Sequence, residues 1–196
     1  MQAERLISQA GIPLSGPLLI QPRVFSDDRG FFFESWNERS FAAVLEADCQ
    51  PVHHFVQDNH SRSSRGVLRG LHFQVPPHPQ AKLVRCVLGE IFDVVVDIRN
   101  DSPTYGHWVG AILSANNHQQ LWVPEGFAHG FLTLSEQAEV LYKTTDYWNR
   151  ECERSIRWDD PQLAIGWPTA ALLDFDRPLL SEKDALAPLL ADLFQP

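Results

Sequence analysis

The chain lacks most of the features that would mark a secreted, membrane-bound or nucleic-acid-binding protein. Its three cysteines, Cys49, Cys86 and Cys152, are odd in number and widely spaced, which excludes a disulfide framework and a paired-cysteine zinc site. No apolar run approaches the ~20 residues of a membrane helix, and the longest, Ile91 to Ile98, contains Asp93 and Asp97. Cations are scarce: 16 Lys and Arg stand against 25 Asp and Glu, a formal net charge of −9 that disfavours nucleic acid and anionic membranes as partners. The first residues, MQAERLISQAGIPL, show no cationic stretch followed by an apolar one, so no signal peptide is expected and the cytoplasm is the expected compartment. Also missing are a dinucleotide-binding glycine fingerprint, a P-loop, a nucleophile elbow and an HExxH zinc helix. Nucleotide hydrolysis and serine-triad chemistry lose support accordingly.

What is present is an apolar fraction of 44% in 196 residues, enough for one core, with 14 Pro and 11 Gly dividing it into short segments. No repeat or linker subdivides the chain, so residues 1–196 read as a single domain. Strands are predicted at Phe31–Trp36, Val67–Gln74, Leu83–Leu88, Ile91–Ile98, Trp108–Leu113, Gln120–Val123, Gly130–Leu134 and Val140–Tyr147. Gly89-Glu90 between two of them reads as a hairpin loop, and the period-two pattern of Ile91–Ile98 as a half-buried strand. Ser40 to Glu46 reads as a short helix with Ser40 at its N-cap, and 181–194 as a second helical segment interrupted at Pro188. The fold class expected is all-β, a jelly-roll sandwich or barrel with a few short peripheral helices.

Two segments stand out, Gly66-Val-Leu-Arg-Gly-Leu-His72-Phe-Gln74 and Pro124-Glu-Gly-Phe-Ala-His129-Gly, each placing one histidine beside glycines in a β context. Their layout resembles the two motifs of the cupin superfamily of jelly-roll barrels. Metal-binding cupins carry a second histidine where Gln74 stands, and His78 and Pro79 occupy the place of their glutamate. Two imidazoles without a nearby carboxylate make an incomplete metal site, so no metal is expected and a histidine on the barrel wall is free to act as a base.

Singly, each candidate has an ordinary explanation. His72 between Leu71 and Phe73 is by default a core residue, Arg69 and Arg29 surface ion-pair or turn residues, Lys82 a solvated cation, and Tyr142 a packing residue with a polar tip. Parity adds a difficulty. In a regular strand Leu68, His72 and Gln74 face one side and Arg69 the other, so Arg69 and His72 reach one cavity only if Gly70 hosts a bulge.

Together the motifs resemble one family, the dTDP-4-dehydrorhamnose 3,5-epimerases. The resemblance runs from about Phe25 to Asp184 and includes Asp28-Arg-Gly-Phe-Phe-Phe-Glu-Ser35, Phe55-Val-Gln-Asp-Asn-His-Ser61, Val67 to Gln74, Ala81-Lys-Leu-Val-Arg85, Leu121 to Phe131, Leu141-Tyr-Lys143 and Leu180-Ser-Glu-Lys-Asp184. It implies an isomerase, free of metal and cofactor, that inverts carbons 3 and 5 of dTDP-4-dehydro-6-deoxy-glucose. By resemblance His72 is the base, Asp184 the carboxylate that orients it, Tyr142 the proton donor and Lys82 the cation beside the ketone oxygen, with His129 in the same shell. Arg29, Glu34, Gln57, Asp58, Asn59, Arg69, Glu153 and Lys183 match positions that the family uses for nucleotide and sugar. A homodimer is implied, its N-terminal strand reaching into the partner. A mono-epimerase, a nucleotide-sugar-binding jelly roll without turnover and a metal-dependent cupin, the last countered by Gln74, are the other readings.

Overall fold

Period-two patterning resolves into short strands wherever apolar residues can face one of two buried surfaces. The structure, a computed structural model, describes residues 1–169 and 177–193. Along them run β1 (Gln2–Ile7), β2 (Pro13–Gln21), β3 (Phe25–Asp27), β4 (Gly30–Phe32), helix α1 (Glu38–Ala47), β5 (Gln57–Ser64), β6 (Leu68–Gln74), β7 (Lys82–Leu88), β8 (Glu90–Asp97), β9 (Trp108–Ser114), β10 (Gln120–Val123), β11 (Phe127–Thr133), β12 (Gln137–Thr144), β13 (Glu153–Ser155) and the one-turn helix α2 (Glu182–Ala185). One sheet has the order β1-β2-β10-β7-β12-β5, the other β13-β6-β11-β8-β9, and β3-β4 form a separate ribbon. The paired strands are antiparallel, and the two large sheets pack face to face as a jelly roll of the cupin type. No described helix is long and apolar enough to cross a membrane.

Three apolar clusters hold these layers. The central one draws on both sheets, among them Leu19, Val84, Val95, Leu121 and Phe131. A second lies on the outer face of the five-stranded sheet, where Leu71, Val94, Val96 and Leu132 meet Ile156, Leu163 and Trp167. A third covers the outer face of the six-stranded sheet, where Phe41 and Leu45 of α1 pack on Leu18, Leu83 and Trp122. β8 is therefore buried on both faces rather than half-buried, since Val95 enters the central cluster while Val94 and Val96 enter the second.

The Gly89-Glu90 link is not a hairpin. β7 and β8 are interior strands of opposite sheets, and the chain crosses from one sheet to the other at their ends. The turn is tight: Gly89 has φ +72° and an added Cβ would lie 2.0 Å from the Gln137 carbonyl oxygen. A two-residue link reads alike whether its strands pair or diverge, and here each strand finds partners in its own sheet. Helix α1 starts earlier than its expected cap, because Asn37 rather than Ser40 supplies the capping side chain, accepting from the Ser40 amide at 3.1 Å. The segment 181–194 is not one helix. It forms α2 and a 3-10 turn at Leu190–Asp192 on either side of Pro188, and residue 194 lies outside the described residues. Phe31–Trp36 is strand only as far as Phe32.

Candidate active site

The bulge anticipated at Gly70 is present and decides what faces the interior. β6 and β11 pair as His129↔His72 and then Phe131↔Arg69, so the register slips across Gly70-Leu71. Leu68 thereby turns outward with Leu71 and Phe73 into the outer cluster, instead of sharing a face with His72 and Gln74. Glycine is required at this crossing: Gly70 has φ +123°, and an added Cβ would sit 2.5 Å from the Gly130 Cα.

A cavity of about 360 Å³ opens on the inner side, lined by Gln57 and Asn59 of β5, His72 and Gln74 of β6, Lys82 of β7 and Tyr142 of β12, with Trp148 and Glu153 at its mouth. His72 and Tyr142 enter it from opposite sheets. His72 Nε2 stands 2.5 Å from Asp184 Oδ1. Asp184 is 3% exposed, and its amide donates to Ser181 Oγ at 3.1 Å, so the single turn of α2 fixes the carboxylate. Burial pushes the Asp184 carboxyl up, but hydrogen bonds from His72, Ser181 and the Gly70 amide, with the charge of His72, outweigh it and hold the group below its ordinary value. An ionised carboxylate on Nε2 keeps the proton there and leaves Nδ1 with its lone pair.

Lys82 is buried, its Nζ donating to the His72 carbonyl oxygen at 3.3 Å. Burial depresses its pKa to about 8, with Lys183 adding to the fall and Asp93 and Glu153 opposing it. Tyr142 is shifted upward, mainly by burial and further by Glu153, against the opposing charge of Arg69. Its phenol therefore keeps its proton at neutral pH. Arg69 turns inward beyond the bulge and donates to Ser63 Oγ at 2.9 Å and to the Arg62 carbonyl at 3.1 Å. Glu153 pairs with Lys183 at 2.6 Å. Burial raises the Glu153 carboxyl, but Lys183, His72 and the hydrogen bond from Trp148 bring it below normal.

Other candidates lie elsewhere. Strand alternation puts Gln57 and Asn59 inside but Asp58 outside, in a separate cavity of about 240 Å³, where it pairs with Lys143 at 2.9 Å. Arg29 sits in the β3-β4 turn with its side chain 89% exposed against Asp27, and Glu34 accepts from Asn37 Nδ2 at 3.1 Å. Neither lines the His72 cavity. His129 is buried with Nε2 at 2.6 Å from Asp93 Oδ1. Asp93 was missed as a functional candidate, although an aspartate inside an apolar strand was the visible signal. Trp148 was missed as well, since one exposed indole in a loop carries no periodicity. Among the described residues no group of three or more His, Cys, Asp or Glu is placed to hold a metal ion.

A family model described as dTDP-4-dehydrorhamnose 3,5-epimerase matches residues 11–192. A dTDP-4-dehydrorhamnose 3,5-epimerase of Pseudomonas aeruginosa is 61% identical over 175 residues, covering 89% of this chain and 91% of that one. Among solved structures, the dTDP-6-deoxy-D-glucose-3,5-epimerase of Legionella pneumophila in complex with dTDP-4-keto-L-rhamnose superimposes with a TM-score of 0.86 at 46% identity, covering 98% of this chain and 95% of that one. A 3′-monoepimerase of Streptomyces bikiniensis in complex with dTDP-quinovose is more distant, with a TM-score of 0.80 and 36% identity over 91% of this chain and 87% of that one. By sequence and by fold, this chain belongs to the dTDP-4-dehydrorhamnose 3,5-epimerase family.

Proposed function

We infer that the cavity between the sheets converts dTDP-4-dehydro-6-deoxy-D-glucose to dTDP-4-dehydro-L-rhamnose, using side chains alone. The observation that carries this reading is the placement of a carboxylate-backed imidazole and a protonated phenol on opposite sheets of one cavity that a buried ammonium also lines. His72 Nδ1 takes the proton from the carbon next to the ketone, and the C–H electron pair moves into the C=C–O⁻ system of the enolate. Lys82 holds the developing oxyanion. Tyr142 delivers its phenolic proton to the carbon from the other face, which inverts the centre; the phenolate and the imidazolium then exchange protons with solvent. Repeating the cycle at the second carbon flanking the ketone gives the double inversion. Arg69, Gln57 and Asn59 lie toward the nucleotide diphosphate, where a guanidinium fork compensates charge that the acidic chain as a whole repels.

The working form is read as a cytoplasmic homodimer. Phe25, Phe31 and Phe32 of the β3-β4 ribbon are 51%, 60% and 68% exposed, an apolar surface suited to a second copy. Arg29 and Glu34, remote from their own cavity, are then free to complete the partner's site, and the N-terminal strand, paired here to β2, extends across the contact. The test of the reaction is incubation with the dTDP-sugar in D2O, with an enzyme-free control, and NMR of carbons 3 and 5. Enzyme-dependent deuterium at both carbons is expected. Label at one carbon makes the chain a mono-epimerase, and none, with dTDP bound, makes it a binding protein.

A further inference from the structure

Gln74 lies two residues beyond His72 on the same inner face of β6 and is 6% exposed. Its carboxamide serves the backbone of two different loops. Nε2 donates to the His78 carbonyl at 2.6 Å and to the Tyr147 carbonyl at 3.3 Å, while Oε1 accepts from the Asn149 amide at 2.7 Å. His78 belongs to the β6–β7 connection, Tyr147 and Asn149 to the β12–β13 connection. Trp148, between the two tied residues, has its amide on Gln57 Oε1 at 3.2 Å and its side chain on Glu153. Gln57 in turn donates to Asn59 Oδ1 at 2.9 Å. One amide side chain thus anchors a chain of contacts that runs around the cavity mouth to three of the nucleotide-sugar candidates, Gln57, Asn59 and Glu153.

The base is held independently. Asp184 is fixed by Ser181 and by the Gly70 amide, and none of those bonds passes through Gln74. We propose that Gln74 is a positioning residue for substrate binding, an amide tie that joins the two mouth loops and sets Trp148 and Gln57 against the bound dTDP-sugar, while leaving the His72–Asp184 pair unaffected. The proposal rests on the epimerase reading for the identity of the ligand. A glutamine suits the place because it both donates and accepts, whereas a histidine or carboxylate there cannot satisfy two carbonyls and an amide at once.

Gln74→Met keeps the length and removes all three bonds. With the two mouth loops no longer tied, KM for the dTDP-sugar is expected to rise about tenfold, with kcat within about threefold. Hydrogen exchange, read by NMR without substrate, should accelerate at the Asn149 and Trp148 amides and not in β8 or β11. If that variant does not fold, Gln74→Glu is read in the same assays. It retains the acceptor for Asn149 but sets a carboxylate against two carbonyls, so KM rises while Asn149 stays protected and exchange increases in 75–81. A fall in kcat with KM unchanged in either variant overturns the proposal, as does wild-type exchange at Asn149 and Trp148 in Gln74→Met or at 75–81 in Gln74→Glu. An inactive wild-type chain would defeat the epimerase reading instead, and the exchange data would still decide whether the tie exists.

Discussion

Replacing Lys82 by Met should slow the reaction severely and stabilise the fold at neutral pH. The ammonium is buried and its pKa falls from 10.5 to about 8, chiefly through burial. A depression of that size corresponds to about 3 kcal/mol of folding free energy lost by holding the charge in place. The cost is fully present below the folded pKa of about 8, where both states are protonated, and fades as pH rises toward 10.5, where the unfolded lysine also becomes neutral. Lys82→Met removes it and forfeits the bond to the His72 carbonyl, worth about 1 kcal/mol. The net expectation is a gain of about 2 kcal/mol at pH 7, read from urea unfolding. The gain shrinks as pH rises from about 8 toward 10.5, because the folded lysine loses its proton there before the unfolded one does. Turnover should drop by about 10²–10³-fold, the usual loss when one preorganised oxyanion partner is removed. In the wild type, kcat should fall above pH 8 as the ammonium is lost. A variant with turnover within about tenfold of wild type, or less stable than wild type at pH 7, refutes the argument that a costly buried charge is retained for the enolate.

Three more substitutions probe separate parts of the site. Tyr142→Phe should slow product formation far more than deuterium wash-in to the substrate, because the phenol donates only after the base has acted; equal slowing of both removes it as the acid. Arg69→Ala should weaken dTDP binding measured by calorimetry about tenfold or more, and unchanged affinity would assign the guanidinium to Ser63 alone. Gly70→Ala forces a side chain at φ +123° into the Gly130 backbone 2.5 Å away, and should destabilise by about 3 kcal/mol or prevent folding. An alanine variant of wild-type stability and activity would contradict the assignment of the bulge to this contact.

The central strands were legible because each repeats apolar residues toward a buried face, as in β8 and β11. β5 was not, although it is eight residues long. Its sequence, QDNHSRSS, has no apolar member, since its inner side chains Gln57 and Asn59 face the cavity and its outer ones, Asp58 and His60, pair with Lys143 and Glu139. A strand whose two faces serve a polar cavity and an ion-paired surface carries no hydrophobic period to read. β2 was hidden differently, by Pro13, Gly16 and Pro17, which read as turn signals; yet a Cβ added at Gly16 would lie 3.0 Å from the Phe127 ring, a close approach that only the folded neighbour explains. The His72–Asp184 pair spans 112 positions, so no spacing rule could find it, and only the family resemblance joined the two. Arg69 was legible through its difficulty: the parity conflict with His72 located the bulge before any coordinate did.

That bulge explains how one sandwich carries both a core and a polar cavity. At Gly70 the β6 side chains exchange faces, so Leu68 and Leu71 both enter the outer cluster while Arg69 and His72 both turn inward. A regular strand would place one of each pair on the wrong side, either burying the guanidinium among Ile156 and Leu163 or turning the imidazole away from the cavity. The apolar material displaced from the interior is not lost to stability. It is buried outside the sheets, under Trp167 and Leu190 on one side and under Phe41 and Leu45 on the other. Covering both outer faces in this way leaves the mouth of the barrel free to hold Lys82, Tyr142 and the His72–Asp184 pair, groups that a sandwich stabilised only by its inner core could not accommodate.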